Sequence, residues 1–139
     1  MKIFLDTWVL VERYKGNAEA AKLLKMAKNK LEMHISHVTV AELTNVISRE
    51  FGEREALVQY ALLKHSGLVL DGTSEEITRN AGLFKTRYRF SLADAFVLAS
   101  AIACSVDVLV TGEERQYDEE WKEVDEIKVA TLRDFMKTL

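Results

Sequence analysis

The sequence predicts an α/β fold, a three-layer α/β/α sandwich built on a mostly parallel sheet. Short apolar runs of strand length alternate with segments of helical periodicity, an order typical of parallel sheets covered by helices on both faces. The chain has 139 residues, of which 48% are hydrophobic, enough to build one full core. We therefore expect residues 1–139 to form a single domain.

Strands and helices alternate in the first half of the chain. The run Lys2–Leu5 is mostly apolar and predicts a strand buried on both faces. Asn17 is a suitable N-cap for a helix that continues to about residue 30, and Gly52 and Gly67 suit the ends of two later helices. The other predicted elements are a strand at Met33–Ile35, helices at Val38–Phe51 and Arg54–Ser66, and a strand at Leu68–Leu70.

The second half continues the same alternation. Ser91–Ala103 carries a small apolar face at helical spacing, and Val106–Val110 is a run of strand length. Eight acids and two bases then lie between Glu113 and Glu126, a stretch that we interpret as a solvated surface. The remaining predicted elements are a helix at Ser74–Thr86, a strand at Ile127–Ala130 and a final helix at Thr131–Leu139.

Charge and composition exclude several classes of protein. The net charge of −3 argues against a general nucleic-acid coat protein, which would be basic. The apolar runs are shorter than the roughly 18 to 20 residues of a membrane span, and the N-terminus lacks a signal-peptide pattern. A single cysteine, Cys104, forms no internal disulfide, as is usual in reducing compartments. We therefore expect a cytoplasmic protein that does not enter a membrane.

Four acidic residues fall where the predicted fold would gather ligands. Asp6 ends the first strand and Glu113 follows the fourth, while Glu42 and Asp94 lie near the starts of two helices. Ligands of such sheets collect at the carboxyl ends of the strands. Carboxylates brought together there repel one another unless protons or cations neutralise them. Because oxygen donors favour a hard ion, we predict a site for Mg²⁺ or Mn²⁺.

Helix capping is the competing explanation for two of these acids. Thr39–Glu42 matches the capping-box pattern, and Ser91–Asp94 is a close relative of it. The same pattern occurs at Thr73–Glu76 and Thr131–Asp134, to which we assign no function. Capping does not explain an acid that directly follows a buried strand, as Asp6 does. The four acids together favour a metal site, and the alternative is an inactive interaction module whose acids mainly cap helices.

Four segments of the chain match one protein family in their order. The sequence resembles PIN-domain ribonucleases, and among them VapC toxins, at Leu5–Leu10, Val38–Leu43, Ser91–Phe96 and Leu109–Glu113. This resemblance implies a parallel α/β/α sandwich, a divalent metal site and cleavage of RNA. It also implies a homodimer and an antitoxin partner whose C-terminal segment covers the active site. The family's core acids carry over to Asp6, Glu42 and Asp94, and its fourth acid to Glu113.

Two positions depart from the family pattern. Glu113 stands where the family usually has aspartate, which leaves direct ligation or ligation through water open. Trp8 replaces a small residue, and we expect its indole to be core or interface surface instead of a stacking platform for a base. With Val9, Val11 and Tyr14 it forms an apolar group that we expect a small domain to leave partly exposed.

The chemistry that these residues suit is metal-assisted hydrolysis of a phosphodiester, which needs no side-chain nucleophile. Thr7 and Thr111 would orient the neighbouring carboxylates through their hydroxyls. The assigned roles are metal ligands for Asp6 and Asp94, and ligands or water-positioning bases for Glu42 and Glu113.

Basic residues that precede Asp94 form the predicted RNA-binding surface. The segment 77–93 contains four bases and no acid, and we assign phosphate contacts to Lys85, Arg87 and Arg89. The structural alternative is that these cations merely stabilise the C-terminal end of a helix.

Other chemistries are less well supported by the sequence. A phosphatase or receiver-like domain would need a second acid beside Asp6 and a lysine after a late strand, and the sequence has neither. His34, His37 and His65 lack the spacing of a zinc site, so we interpret them as ordinary polar positions. Cys104 ends an apolar helix and is interpreted as a small core residue.

Overall fold

In the residues that the structure describes, five parallel strands form one sheet in the order β3-β2-β1-β4-β5. The structure is a computed structural model that describes residues 1–112 and 119–139. β1 is the central strand, with Ile3 beside Met33 on one side and Val108 on the other. The strands are β1 (Lys2–Leu5), β2 (Glu32–Ser36), β3 (Val69–Asp71), β4 (Val108–Thr111) and β5 (Val129–Thr131).

Helices connect the strands and cover both faces of the sheet. Short 3₁₀ helices follow α2 at Lys25–Lys28 and precede β5 at Glu119–Glu123. The helices are α1 (Thr7–Tyr14), α2 (Ala18–Leu24), α3 (His37–Phe51), α4 (Glu53–Lys64), α5 (Glu75–Tyr88), α6 (Leu92–Ala103) and α7 (Leu132–Lys137).

Two apolar cores lie on opposite faces of the sheet. Side chains alternate between the faces along each strand, so Ile3 and Leu5 point to one core and Phe4 to the other. The first core is completed by α1, α2, α3, α4 and α7, and the second by α5 and α6. This arrangement confirms the predicted α/β/α sandwich. No helix in the described part of the chain is long and apolar enough to span a membrane.

Most predicted helix starts lie within a residue or two of the observed ones. The Asn17 side chain accepts a hydrogen bond from the Ala20 N–H at 2.9 Å, as expected of an N-cap. The helix that follows ends at Leu24 and continues as a 3₁₀ turn, so the single helix predicted to about residue 30 is wrong. At Gly52 the chain turns from α3 into α4 with φ of 95°, a conformation that favours glycine.

The capping-box interpretation of Thr39 is wrong. α3 begins three residues earlier than that pattern requires, and its N-cap is Ser36, whose hydroxyl accepts a hydrogen bond from the Val38 N–H at 3.0 Å. Thr39 therefore lies inside the helix and is fully buried. At the start of α5 the cap is likewise Ser74, not Thr73.

Helix α1 lies in a segment for which the sequence predicted no helix. Five of its eight residues are buried, because it packs between the sheet and α2 and α3. The expectation that Val9 and Val11 belong to a partly exposed apolar group is wrong, since both are buried. Trp8 and Tyr14 are partly buried against the first core.

Candidate active site

Asp6 lies at the carboxyl edge of the sheet, between the ends of two central strands. Its N–H donates to the Val110 carbonyl of β4 at 2.9 Å, which fixes it at the end of β1. Its backbone is extended, so its side chain lies on the same face of the sheet as Phe4. Asp6 occupies the N-cap position of α1, yet its side chain makes no capping hydrogen bond to that helix. Capping therefore does not account for a carboxylate that is fully buried.

Glu42 is held next to Asp6 by a threonine. The Thr7 hydroxyl lies 2.5 Å from Glu42 Oε1 and 2.9 Å from the Thr39 hydroxyl. Thr7 opens α1 directly after Asp6, whereas Thr39 and Glu42 lie in the first half of α3. The contact thus brings a partly buried carboxylate from the second motif to the end of the first strand.

Asp94 reaches the same edge of the sheet on helix α6. After this helix the Asp107 N–H donates to the Lys2 carbonyl at 2.7 Å, so α6 ends at the amino edge of the sheet. The helix runs antiparallel to the strands, and its first turn therefore lies toward the carboxyl edge. Because α6 packs on the Phe4 face, Asp94 and Asp6 share both the face and the edge.

A comparison of two capped helices separates Asp94 from a simple capping residue. The Ser91 hydroxyl accepts a hydrogen bond from the Asp94 N–H at 3.1 Å, and the Thr131 hydroxyl accepts one from the Asp134 N–H at 3.2 Å. The two aspartates hold the same position after their caps, but Asp94 is 5% exposed whereas Asp134 is exposed. Burying a carboxylate costs free energy, and a residue that only caps a helix gains nothing from being buried. The burial of Asp94 therefore indicates a role beyond capping.

The fourth of the family motifs, Leu109–Glu113, reaches the site at the end of β4. Thr111 is the last residue of that strand and is buried. Gly112 lies so close to α1 that a Cβ there would be 2.7 Å from both Glu12 Oε1 and Trp8 Cβ. Glu113 lies outside the described residues, so its assignment as the fourth acid stays a prediction.

The structure adds two polar residues that the sequence analysis did not assign to the site. Thr39 was interpreted as a cap, yet its hydroxyl contacts Thr7. Glu12 is a fully buried carboxylate against Gly112, the residue before Glu113. Glu12 could not be assigned to the site without α1, which the sequence did not predict. This helix directs the Glu12 side chain toward the end of β4.

The predicted RNA-binding residues lie at the end of α5. All three are exposed, but two of them have intramolecular contacts. The Lys85 ammonium donates to the Phe90 carbonyl at 3.2 Å, and Arg87 pairs with Glu126 at 3.1 Å. Arg89 is the C-cap and has φ of 59°, in the left-handed region. Their assignment to RNA stays a prediction.

The donor set at the carboxyl edge suits a hard divalent cation. Asp6 and Asp94 are carboxylates that are 0% and 5% exposed, and Glu42 is hydrogen-bonded to Thr7, the residue that follows Asp6. Buried carboxylates on one face repel each other and lose hydration, which a cation offsets by supplying opposite charge. These donors are all oxygens, as Mg²⁺ and Mn²⁺ prefer. The residues present therefore fit the predicted cofactor.

The chain is similar to proteins of a known family. The family model for the PIN domain matches residues 3–126. No curated protein matches the chain in a sequence comparison.

Solved structures with the same fold include toxin–antitoxin proteins. VapBC2 from Rickettsia felis, bound to a promoter DNA fragment, has a TM-score of 0.73 and 22% identity, over 94% of this chain and 98% of that chain. DNA-bound VapBC from Salmonella typhimurium has a TM-score of 0.75 and 16% identity, over 95% of this chain and 98% of that chain. VapC20 from Mycobacterium tuberculosis, a toxin that cleaves the sarcin-ricin loop, has a TM-score of 0.66 and 20% identity, over 91% and 98%.

The family match covers all four motifs that the sequence analysis singled out, and the fold match extends over nearly the full chain. The resemblance inferred from those motifs is thereby confirmed at the level of the family. This chain belongs to the PIN-domain family.

Proposed function

We propose that this protein is a divalent-metal-dependent endoribonuclease and the toxin of a toxin–antitoxin pair. The observation that carries the proposal is the burial of Asp6 and Asp94 on one face and one edge of the sheet, together with the hydrogen bond between Glu42 and Thr7, the residue after Asp6. Membership of the PIN-domain family supports the nuclease activity, and the fold shared with VapBC proteins supports the toxin role.

Each residue of the site has a proposed role in phosphodiester hydrolysis. Asp6 and Asp94 would hold Mg²⁺ or Mn²⁺, because their buried carboxylates converge on one edge. A bound divalent cation supplies charge stabilisation at the phosphate and lowers the pKa of a water. Glu42 and Glu113 act as further ligands or as bases that position the attacking water. Thr7 contacts one oxygen of Glu42 and so orients this carboxylate.

Water is the nucleophile in this proposal, since the assigned set consists of carboxylates and hydroxyls that support them. Thr39 contacts Thr7 from inside α3, and the two hydroxyls therefore stabilise each other at the base of the site. RNA cleavage then depends on the charge of the carboxylates and not only on their shape.

An apolar groove supports the proposed antitoxin partner. It measures about 450 Å³ and lies between α1, α2, α3 and α4, with Arg13 and Lys25 among its lining residues. Such a groove suits the apolar face of an amphipathic segment that also carries acidic residues. The apolar side chains that line it include Leu10, Tyr14, Leu43, Ile47, Leu62 and Leu63.

We also propose that the protein forms a homodimer. Phe51, Leu57 and Val58 are exposed, at 60%, 66% and 48%, and they extend the apolar surface of the α3 and α4 pair. An apolar surface of this kind on a small domain is typical of an interaction site. The oligomeric state of the purified protein, measured by light scattering, tests this part of the proposal.

Amide replacement of the acids tests the catalytic assignment. Asp6→Asn, Asp94→Asn and Glu42→Gln keep the side-chain shape but remove the charge. We expect each to lower Mg²⁺-dependent cleavage of a mixed RNA pool by about two orders of magnitude or more, since one charged ligand is lost. The metal-free fold should be as stable as that of the wild type or slightly more stable, because carboxylate repulsion is relieved.

Asp134→Asn is the matched control. Asp134 holds the same capping position in α7 that Asp94 holds in α6, but it is exposed. It should keep wild-type activity. If Asp94→Asn cleaves RNA as fast as Asp134→Asn, both being free of contaminating nuclease, the acid at position 94 is only a capping residue and the proposed site is wrong.

A further inference from the structure

We propose that His34, Asp71 and Cys104 form a zinc site, separate from the carboxylates of the proposed nuclease site. The three residues come from β2, from the end of β3 and from the C-cap of α6. One ligand atom of each lies within 4.8 Å of those of the other two. His34 Nδ1 is 2.6 Å from Asp71 Oδ2, and Cys104 Sγ is 3.3 Å from the same oxygen.

The donor types select the metal. A thiolate sulfur, an imidazole nitrogen and a carboxylate oxygen are the ligands that zinc takes in proteins, whereas Mg²⁺ avoids sulfur and prefers an all-oxygen shell. Three protein ligands leave the fourth tetrahedral position to water. Zinc would replace the thiol proton that Cys104 now directs to Asp71, so the sulfur binds as thiolate.

A fourth residue already orients the histidine. Glu32 Oε1 lies 2.7 Å from His34 Nε2, on the opposite side of the ring from Asp71. A carboxylate in this position accepts the Nε2–H and leaves the Nδ1 lone pair directed to Asp71 and Cys104. Metal-binding histidines usually have such a carboxylate on their second nitrogen.

The surrounding fold holds the cluster in place with little freedom. His34 is 6% exposed and stacks on Phe4 at the centre of the sheet. Parallel pairing of β2 and β3 sets Asp71 beside Ser36, two residues beyond His34 on the same face. Tetrahedral bonds of about 2.0 to 2.1 Å to nitrogen and oxygen would place His34 Nδ1 and Asp71 Oδ2 about 3.3 Å apart, whereas they now lie 2.6 Å apart, so this pair must separate by less than about 1 Å. The Asp71 side chain is 22% exposed and can make that movement.

The cluster is distant from the proposed catalytic carboxylates. Asp94 and Cys104 lie at opposite ends of α6, ten residues apart, which corresponds to about 15 Å along a helix. A zinc ion here would join the edge strand β3, its neighbour β2 and the C-terminal end of α6. Zinc bound here would stabilise the fold, because it connects three elements that are distant in the sequence.

Metal titration of purified protein tests the proposal without reference to RNA cleavage. The probes are zinc alone and Co²⁺ alone, added to protein that has been freed of metal. In the Asp6→Asn/Asp94→Asn double variant, in which the other candidate site is disabled, we expect one equivalent of either ion to bind. Co²⁺ should give a thiolate charge-transfer absorption band in this variant and in the wild type.

Variants of the cluster complete the test. Cys104→Ser keeps the size and hydrogen-bonding capacity of the side chain, and it should abolish the Co²⁺ band and weaken zinc binding at least about 10-fold. Glu32→Ala removes the orienting carboxylate and should weaken binding about 10- to 100-fold. His65→Gln, at an exposed histidine outside the cluster, should change neither result.

The melting temperature of each metal-free variant shows whether it folds, so that loss of binding is not confused with loss of structure. A wild-type protein that binds Co²⁺ with no thiolate band would overturn the proposal. So would zinc binding of unchanged affinity when Cys104→Ser is added to the Asp6→Asn/Asp94→Asn double variant and the protein still folds.

Discussion

At the scale of single residues, Gly112 decides how closely α1 approaches the end of β4. A Cβ at this position would lie 2.7 Å from Trp8 Cβ, an atom that cannot move without its helix. We expect Gly112→Ala to lower the free energy of unfolding by about 1 to 3 kcal/mol, as overpacking does elsewhere. Urea denaturation of the two proteins measures the difference.

Gly82→Ala is the control for that substitution. Gly82 lies within α5, and nothing lies within 4 Å of a Cβ built there. Because alanine favours a helix over glycine, this variant should be more stable than the wild type by about 0.4 to 1 kcal/mol. Equal stability of Gly112→Ala and wild type would mean that α1 adjusts freely and does not define the site.

Some site residues could be predicted from the sequence, and others could not. Asp6, Glu42 and Asp94 could be identified because each lies in a short motif next to a predicted element boundary. His34 and Cys104 could not be connected, since their partner is Asp71 and the contacts span 37 and 33 residues of sequence. Contacts between such distant residues depend on the order of the strands in the sheet, and local sequence patterns do not predict that order.

At the scale of elements, α1 is the helix that the sequence analysis missed, for a physical reason. A surface helix shows polar and apolar residues at a period of 3.6, but α1 is buried around much of its circumference. Its residues Trp8–Val11 are all apolar, and a continuous run of that length does not distinguish helix from strand. Helices α5 and α6 were predicted well because each has a cap and a clear apolar stripe.

The end of α5 offers a test of the RNA-binding assignment. If Lys85, Arg87 and Arg89 contact phosphates, replacing all three by glutamine should reduce the slope of log affinity against log salt by about two units. The Arg87–Glu126 ion pair has to open for this to occur. Affinity for a single-stranded RNA at several salt concentrations measures the slope. An unchanged slope would assign these cations to helix stability only.

Helix α5 is also connected to the acidic segment through a hydrogen bond from the Tyr88 hydroxyl to Glu126. Burial raises the pKa of Glu126, but the hydrogen bonds that its carboxylate accepts, first among them that of Tyr88, outweigh this and lower the pKa below its usual value of 4.5. A carboxyl whose pKa falls on folding stabilises the protein above its unfolded pKa, and this contribution is lost as the pH falls through the folded pKa.

Tyr88→Phe removes that hydrogen bond. We expect the variant to be less stable than wild type at pH 7 by about 1 kcal/mol, and the difference to decrease as the pH falls below about 4.5. Denaturation curves of both proteins across this pH range provide the measurement. A difference that grows toward acid pH would contradict the assignment, because the sign of the linkage would then be reversed.

At the scale of the whole molecule, the proposed nuclease site makes the free energy of unfolding depend on metal concentration. The unfolded chain holds Asp6 and Asp94 apart, so a cation that needs both binds only the folded state. Mg²⁺ at a hundredfold excess over its Kd should then raise the free energy of unfolding by about 2.7 kcal/mol.

The melting temperature in Mg²⁺, at fixed ionic strength, reports this stabilisation. Asp94→Asn should lose most of the response, whereas Cys104→Ser should keep it, since the proposed zinc site contains a sulfur that Mg²⁺ does not bind. If wild-type protein melts at the same temperature with and without Mg²⁺, a preformed divalent site is excluded.

Because β1 is the central strand, it can be paired on both sides only after both of its neighbours have been synthesised. Asp6 is synthesised before the strand that fixes its backbone, because Val110 follows it 104 positions later. At about 5 to 20 residues per second that interval is about 5 to 20 s, and closing so long a loop is slow. A nascent chain that lacks β4 has nothing to pair with one side of β1 and cannot assemble the carboxylates. The proposed nuclease would thus be inactive on the ribosome that makes it until β4 has emerged.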